Sequence, residues 1–247
     1  MNIFITGGLT GMGREMSMLY LNDGHRVGIC SIEKYEDIKD QLLDGVTYFQ
    51  ANVTVRDEVY SAIKSFGTDN AGLDIVIANA GINHHKAKIP DFERGRNVIM
   101  TNVIGVVNTF EPAIEIMKKQ GHGHLAALSS ISAFSGLPGM AFYGASKAAV
   151  MSMCETFQID LAGFGIQVTT LAPGFVRTPL TTENKHKMPF VLEQNQAALM
   201  MYKALQKKKT LYVFPLPMKV MSKVLKHTPR FIYRSVMKRD LLGLSKG

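Results

Sequence analysis

The sequence predicts an α/β fold built on a doubly wound parallel sheet, and three observations support this. Short apolar runs rich in β-branched residues alternate with longer stretches of helical periodicity, as expected when helices cover both faces of a parallel sheet. A glycine-rich turn follows the first apolar run directly. The length of 247 residues suits one large α/β domain.

The predicted strands and helices alternate along the chain. We expect strands at residues 2–6, 26–31, 46–51, 73–78, 124–129, 166–172 and 210–214. We expect helices at residues 12–21, 35–43, 55–66, 92–119 and 143–163. Right-handed crossovers between such strands give a doubly wound sheet. No linker, repeat or low-complexity segment interrupts the pattern, so residues 1–215 are expected to form a single domain.

The positive charge is concentrated at the C-terminus. Residues 1–202 contain 16 Lys/Arg and 19 Asp/Glu, whereas residues 203–247 contain 12 Lys/Arg and one acid, Asp240. The formal net charge of +8 therefore describes the tail and not the body. We interpret residues 216–247 as a basic amphipathic extension.

Composition excludes several classes of protein. With 46% hydrophobic and 19% charged residues, the chain has a globular balance and not that of a disordered protein. No stretch of about 18 uncharged apolar residues is present, which excludes a spanning helix, and the first residues do not resemble a signal peptide. Cys30 and Cys154 lie far apart and no His/Cys cluster has zinc spacing. We therefore expect a cytoplasmic, reducing compartment and no metal site.

The glycine-rich turn predicts a phosphate-binding site. Thr6 ends the first predicted strand, and Gly7, Gly8, Gly11 and Gly13 follow before a helix begins. Glycines let backbone N–H groups approach a pyrophosphate closely, and a helix N-terminus adds a favourable dipole. A plain glycine turn is the alternative, because such a loop alone is weak evidence. Its position between the first strand and the first helix favours a dinucleotide site of the Rossmann fold.

The end of the second predicted strand favours NADP over NAD. In such folds an acid there binds the adenosine 2′-hydroxyl and repels a 2′-phosphate. Ser31 occupies this position, and its neutral hydroxyl can bind a phosphate, with Lys34 or Arg14 supplying charge. Glu33 is close and no arginine directly follows Ser31, so NAD stays as the alternative cofactor.

Two residues one helical turn apart predict acid–base chemistry. Tyr143 and Lys147 share a helical face, so the phenol and the ammonium lie side by side. A free phenol has a pKa near 10, and a nearby ammonium is expected to lower that pKa until the tyrosine can act as an acid or base. Ser130 ends an apolar strand, which places its hydroxyl at the carboxyl edge of the sheet, where α/β folds bind ligands.

With these motifs, residues 1–215 resemble the short-chain dehydrogenase/reductase family in its single-domain form. The matching segments are the turn 6–13, Asn79-Ala80-Gly81, Asn102, Ser130, Tyr143, Lys147 and the segment 173–178. The resemblance implies that the tyrosine exchanges the proton and the serine binds the substrate oxygen. It also implies that the lysine holds the nicotinamide ribose and lowers the tyrosine pKa, while the asparagine orders a water in the proton relay.

The same resemblance implies cofactor contacts along the whole cleft. The expected contacts are Thr6, Gly7, Gly8, Gly11, Met12, Gly13, Ser31, Asn52, Val53, Asn79, Ala80, Gly81, Tyr143, Lys147, Pro173, Gly174, Val176 and Thr178. Asn52 is a departure, since many members carry an aspartate there against the adenine. The amide of Asn52 can still donate and accept hydrogen bonds.

The predicted function is hydride transfer between NADP, or alternatively NAD, and a carbonyl or secondary alcohol. Singly, Ser130 is typical of a strand-end serine and Asn102 of a helix amide, but their combination with Tyr143 and Lys147 favours catalysis. An epimerase or dehydratase needs a larger C-terminal domain than the segment after Thr178 provides. A non-catalytic NADP-sensing or scaffold protein of this fold is the remaining alternative. No stacking pattern or motif supports nucleic-acid binding.

The substrate is expected to be lipophilic. Residues 178–206 would form an apolar, Met-rich lid, and core packing is the equal alternative for the same side chains. The apolar residues of this segment are Leu180, Met188, Phe190, Val191, Leu192, Leu199, Met200, Met201 and Leu205. His84 and His85 could line the site, although a solvated loop is favoured.

A homodimer or homotetramer is expected from the family's four-helix interface between the predicted helices at 92–119 and 143–163. Its apolar residues would include Val103, Val106, Val107, Phe110, Met151, Met153 and Phe157. Some of these must face the sheet instead.

The basic tail leaves two interpretations open. Segments 218–225 and 230–237 combine apolar residues at helical spacing with cations, and Pro229 separates them. Such a pair can lie in an anionic membrane interface, which would make the protein peripheral to a membrane. Alternatively these segments cover the substrate cleft or a neighbouring subunit, and this alternative is slightly favoured because the family usually closes its site with C-terminal segments.

Overall fold

The computed structural model describes residues 1–83, 91–181 and 188–238. Seven strands within these ranges form one parallel sheet. They are β1 (Asn2–Thr6), β2 (Arg26–Ser31), β3 (Val46–Gln50), β4 (Ile75–Ala78), β5 (Gly123–Leu128), β6 (Ile166–Pro173) and β9 (Leu211–Phe214), and a short separate pair consists of β7 (Val176–Arg177) and β8 (Leu192–Glu193). The strand order is β3-β2-β1-β4-β5-β6-β9, so the direction of winding reverses between β1 and β4. The carboxyl ends of the strands flank a crevice at this reversal, where such sheets bind ligands.

Helices cover both faces of the sheet. They are α1 (Gly11–Asn22), α2 (Tyr35–Ile38), α3 (Arg56–Asp69), α4 (Phe92–Ile99), α5 (Gly105–Gln120), α6 (Ala141–Asp160), α7 (Gln194–Gln206), α8 (Leu216–His227) and α9 (Arg230–Lys238). On one face, α3, α5 and α6 bury Phe66, Phe110 and Val150 against the sheet. On the other face, α1 and α7 bury Met16 and Met201. This two-sided core confirms the predicted doubly wound α/β fold.

The predicted helix over residues 92–119 is interrupted. A π-helical turn at Met100–Ile104 separates α4 from α5. The segment predicted as a helix at 35–43 contains only the four residues of α2 and a 3₁₀ turn at Lys39–Gln41. In both places the regular α-helix ends because a few residues adopt a different helical hydrogen-bond pattern, π in one case and 3₁₀ in the other. Apolar periodicity does not reveal such a change.

The sequence pattern does not predict helix α7. For the part of the Met-rich segment that α7 contains, the structure decides between a lid and core packing. Ala197, Met201 and Leu205 are buried against the sheet, so they belong to the core and do not line a lid. Phe190 and Leu199 stay exposed. The side chain of Leu180 and the whole of residues 182–187 lie outside the described residues.

In the parts of the chain that the structure describes, no helix is long and apolar enough to cross a membrane.

Candidate active site

The side chains predicted to carry the chemistry converge where β5 ends and α6 begins. Tyr143 and Lys147 lie one turn apart in the first half of α6, and Ser130 follows β5. The Ser130 hydroxyl accepts a hydrogen bond from the Ser132 backbone N–H at 3.2 Å, which fixes the turn after the strand. All three therefore lie at the carboxyl edge of the sheet, as the sequence predicts.

Lys147 is buried, and its position is set by the sheet. Its ammonium donates a hydrogen bond to the Leu128 carbonyl at 2.8 Å, and Nζ lies 5.8 Å from the centroid of the Tyr143 ring. Burial lowers the pKa of Lys147 to about 8. At neutral pH the group still carries its proton, so it remains a positive charge beside the tyrosine.

Tyr143 differs from the expectation of a lowered pKa. Burial is the largest influence and raises the pKa of Tyr143, while hydrogen bonding with Ser130 opposes the increase. The ammonium of Lys147 is directed at the Leu128 carbonyl and not at the phenol, so its expected effect does not dominate here. The hydrogen bond with Ser130 is thus the influence that favours the phenolate form of Tyr143 in this structure.

Asn102 connects the turn after β4 to the start of α6. Its Oδ1 accepts a hydrogen bond from the Ile82 N–H at 2.8 Å, and its Nδ2 donates to the Ile82 carbonyl and to the Ser146 hydroxyl, each at 3.0 Å. Ser146 in turn donates to the Tyr143 carbonyl at 2.7 Å. Asn102 lies in the π turn and is fully buried, so the irregular turn is what brings this amide to the site. Nothing in the sequence identifies the turn or Ser146.

Gly81 completes this contact. A Cβ added there would lie 3.2 Å from Asn102 Oδ1 and 3.4 Å from Lys147 Nζ. A side chain at residue 81 would therefore separate the segment after β4 from the two polar groups of the site.

The glycine-rich turn forms the other end of the crevice, and its geometry fits a dinucleotide. Gly7 and Gly11 have φ values of +63° and +57°, which are unfavourable for residues with a Cβ. A Cβ on Gly13 would lie 2.3 Å from the Gly7 carbonyl oxygen, and one on Gly8 would lie 2.4 Å from a methyl of Ile29. The turn thus presents bare backbone at the N-terminus of α1, as binding of a pyrophosphate requires.

Asn79 fixes the glycine-rich turn to the centre of the sheet. Its Nδ2 donates to the carbonyls of Thr6 and Gly7 at 3.0 and 2.9 Å. The Thr6 hydroxyl accepts from the N–H groups of Asn79 and Ala80 at 3.1 and 3.2 Å. The Asn-Ala-Gly segment therefore supports the turn from the neighbouring strand.

At the end of β2, where the adenosine is expected, the carboxylate of Glu33 is in direct contact with Ser31. The Ser31 hydroxyl donates a hydrogen bond to the Glu33 carboxylate. Tyr48 donates to the Ser31 carbonyl at 3.3 Å and also to the Glu33 carbonyl, so the turn after β2 is held from β3. Arg14 donates to the Gln41 carbonyl at 2.6 Å. A negative charge therefore lies beside Ser31, which opposes the prediction that this end favours a 2′-phosphate.

The neighbouring predicted contacts lie at the same end. Asn52 accepts hydrogen bonds through Oδ1 from the N–H and hydroxyl of Thr54, at 3.0 and 2.9 Å, so its amide shapes the turn after β3. Val53 is buried, and a Cβ on Gly105 would lie 2.9 Å from one of its methyl groups. These two residues support the floor of the crevice.

The segment predicted to contact the nicotinamide closes the crevice from the side of β6. Pro173 ends β6, Val176 is buried in β7, and a Cβ on Gly174 would lie 2.8 Å from Met218. A Cβ on Gly11 would come within 3.8 Å of Thr178, so the segment after β6 and the glycine-rich turn face each other. Met12 is half-buried at the start of α1. His84 and His85 lie outside the described residues.

A family model described as short chain dehydrogenase matches residues 1–189. The chain belongs to the short-chain dehydrogenase family. It is 32% identical over 241 residues to an uncharacterized oxidoreductase of Myxococcus xanthus, with 95% of each chain covered.

Solved structures agree with this assignment. A 3-ketoacyl-(acyl-carrier-protein) reductase from Brucella melitensis, complexed with NADH, superimposes with a TM-score of 0.77 at 25% identity, covering 85% of this chain and 93% of that one. A short chain dehydrogenase from Burkholderia cenocepacia, in complex with NADP, has the same fold with a TM-score of 0.82 at 22% identity, covering 95% and 96%. This member of the short-chain dehydrogenase family is therefore an oxidoreductase whose residues fit a nicotinamide cofactor.

Gly13→Ala should destabilise this short-chain dehydrogenase, because its Cβ would meet the backbone of Gly7 and cannot be accommodated by a side-chain rotation. We expect the free energy of unfolding to fall by about 1–3 kcal/mol, and NADPH binding measured by fluorescence titration to weaken. Gly163→Ala is the control, since a Cβ there meets nothing within 4 Å. Equal unfolding curves for the two variants would contradict the prediction.

Proposed function

We propose that the chain transfers a hydride between a nicotinamide cofactor and the carbonyl or secondary alcohol carbon of a lipophilic substrate. The observation that carries this proposal is the placement of Tyr143, Lys147 and Ser130 at the same sheet edge as the bare glycine turn. A proton donor and a hydride carrier are both needed to reduce a carbonyl, and this placement brings a candidate for the first to the same sheet edge as a binding turn for the second.

Tyr143 is the group that exchanges the proton with the substrate oxygen. When bound, the nicotinamide supplies or accepts the hydride at its C4. In the reducing direction the phenol donates its proton to the oxygen as negative charge develops there, and in the oxidising direction the phenolate removes it. Ser130 donates a hydrogen bond to the same oxygen and favours the phenolate when the proton has left.

Lys147 and Asn102 have supporting roles. The protonated Lys147 places a positive charge beside the phenol, and its remaining N–H groups can hold a ribose hydroxyl while one stays on the Leu128 carbonyl. Asn102 positions the site by joining Ile82 to Ser146 and, through it, to the backbone of Tyr143. A water on the Ile82 carbonyl side of this network would extend the proton path, as the family resemblance implies.

A lipophilic substrate is supported by the apolar side chains that stay outside the core in the segment after β7. Phe190 is 59% exposed and Leu199 40% exposed, although Met201 and Leu205 pack in the core. The Brucella neighbour is named as a reductase of a 3-ketoacyl chain, which is a carbonyl compound with an apolar tail. We place the reaction in the cytoplasm, and two buried, free cysteines, Cys30 and Cys154, fit a reducing compartment.

Tyr143→Phe removes the exchanged proton and keeps the ring, so turnover should fall at least ~100-fold. Steady-state rates with NADPH and a panel of acyl, quinone and steroid carbonyls would measure this change. NADPH affinity should stay unchanged, and Tyr60→Phe is the matched control, since the Tyr60 hydroxyl donates to Glu115 on the helix layer away from the crevice. Near-normal turnover of the Tyr143→Phe variant on a verified substrate would contradict the proposed role of Tyr143.

We propose that the protein prefers NADP, with Ser31 supporting this preference and the carboxylate of Glu33 opposing it. Ser31→Asp should shift binding towards NADH, because a second carboxylate repels a 2′-phosphate. Glu33→Gln removes the existing carboxylate and should raise NADPH affinity relative to NADH, whereas Glu36→Gln on α2 should leave the ratio unchanged. Calorimetric titration with both cofactors measures each ratio, and a wild-type protein that already prefers NADH would contradict the proposed preference.

We propose a homodimer or homotetramer built on α5 and α6. Of the predicted interface residues, Val106 and Phe110 face the core, whereas Val107 is exposed and Val103 and Met151 are half-buried on the outer side. Val107→Asp should therefore shift the mass measured by light scattering towards the monomer, and Met18→Asp on the exposed side of α1 should not. A wild-type protein that is monomeric at every concentration would refute the assembly.

A further inference from the structure

The C-terminal helices α8 and α9 turn apolar side chains away from the protein. Leu216, Val220 and Val224 lie at i, i+4 and i+8 of α8, and they form an apolar ridge that faces outward. Leu216 is 69% exposed and Val224 is 60% exposed, and Phe231 on α9 is 75% exposed. None of these apolar side chains contributes to the core of the protein.

The orientation of both helices is fixed from their inner side. Met218 and Ser222 of α8 are buried, and a turn of α8 packs against the 3₁₀ turn at Ile131–Ala133. On α9, Tyr233 is buried and its hydroxyl donates to the Gly136 carbonyl. Since these contacts hold the helices in place, the outward ridge cannot turn inward without breaking them.

Cations flank the apolar ridge. Lys219 and Lys223 lie on one side of it along α8, with Lys226 at the end of the helix, and Arg230 and Arg234 follow on α9. From Lys203 to Lys238 the sequence contains ten Lys/Arg and no acid. Within the described residues, no salt bridge joins any of these five flanking cations to a carboxylate.

We propose that this outward face, made of Leu216, Val220, Val224, Phe231 and Ile232 with their flanking cations, docks on an anionic lipid bilayer surface. Lys226 lies over the ring of Phe134 and Arg230 over that of Tyr233, but within the described residues none of the five cations is neutralised by a carboxylate. Exposed aliphatic and phenyl side chains beside such cations match an anionic bilayer, since the apolar groups enter the acyl boundary and the cations meet lipid phosphates. A nucleic acid offers the phosphates but nothing that would bury a row of aliphatic side chains. Charge complementarity and apolar exposure together select the bilayer.

The docking face lies beside the candidate active site. Helix α8 follows β9 at the carboxyl edge of the sheet, where we place the boundary between the catalytic domain and the extension. The inner contacts of α8 and α9 include residues 131–136, directly after Ser130, and α8 also packs against β9. A lipophilic carbonyl compound would thus pass from the bilayer to the crevice along these helices; this last step rests on the proposed function, whereas the docking itself does not.

Flotation of the full chain with vesicles tests the docking face. The vesicles are phosphatidylcholine with about 30% phosphatidylserine, or phosphatidylcholine alone, at about 50 mM and about 500 mM NaCl. We expect binding to the anionic vesicles at low salt, and at least ~10-fold weaker binding at high salt or without phosphatidylserine. No binding of the wild-type protein to anionic vesicles at low salt would overturn the proposal.

Matched variants distinguish binding through this face from a general effect of net charge or of exposed apolar side chains. The triple variant Lys219→Glu/Lys223→Glu/Arg230→Glu should bind anionic vesicles at least ~10-fold more weakly, whereas Lys118→Glu/Lys119→Glu/Lys207→Glu, with the same change of charge elsewhere, should stay within about 3-fold of wild type. Likewise Val220→Ser/Phe231→Ser should weaken binding at least ~10-fold, and Ile159→Ser/Leu199→Ser should not. Each variant is checked for its melting temperature and its NADPH affinity.

Three other outcomes decide against the docking face. An equal loss in the control variants would assign binding to net charge, and tighter binding to a duplex DNA than to anionic vesicles would assign the face to nucleic acid. A change of oligomeric mass in Val220→Ser/Phe231→Ser, with no vesicle binding by wild type, would assign it to a neighbouring subunit. Tyr143→Phe should float like wild type whatever its turnover, so failure of the proposed reaction and failure of docking are distinguishable.

Discussion

The candidate site depends on the hydrogen bonds by which Asn79 holds the glycine-rich turn to the end of β4. The Asn79 side-chain amide binds the carbonyls of Thr6 and Gly7, and the Thr6 hydroxyl accepts two hydrogen bonds from the backbone directly after β4. These hydrogen bonds lie where the winding of the sheet reverses. They therefore fix the glycine-rich turn relative to the strand ends that flank the crevice. Gly13 can approach the Gly7 carbonyl and the Asn79 amide because it has no Cβ.

A second hydrogen-bond network fixes the helix that contains Tyr143 and Lys147, as Asn79 fixes the glycine-rich turn. Asn102 joins the segment after β4 to α6, and Lys147 joins α6 to the last carbonyl of β5. Each contact uses a buried polar group whose partners lie on another element. These contacts therefore fix the start of α6, with Tyr143 and Lys147, relative to the sheet. Such fixed donors can stabilise charge without reorganising, which is the usual basis of electrostatic catalysis.

The sequence was sufficient for the sheet, for the order of its elements and for the convergence of Ser130, Tyr143 and Lys147, because apolar periodicity and the position of strand ends determine them. It was insufficient for the π turn and for α7, since neither changes the apolar pattern in a way that one sequence reveals. It placed Glu33 near Ser31 but did not give the hydrogen bond between them, and it predicted the opposite direction for the Tyr143 pKa. Both depend on where side chains point and on how deeply they are buried, which spacing along the chain does not give.

The π turn at Met100–Ile104 places a polar side chain at the candidate site without changing which faces of the neighbouring helices are buried. A π turn closes its hydrogen bond over one residue more than an α turn, so the helices on both sides keep their faces: Val98 before it and Val106 after it are both buried. Asn102 can therefore face Ile82 and Ser146 while the helices on both sides keep their place in the core.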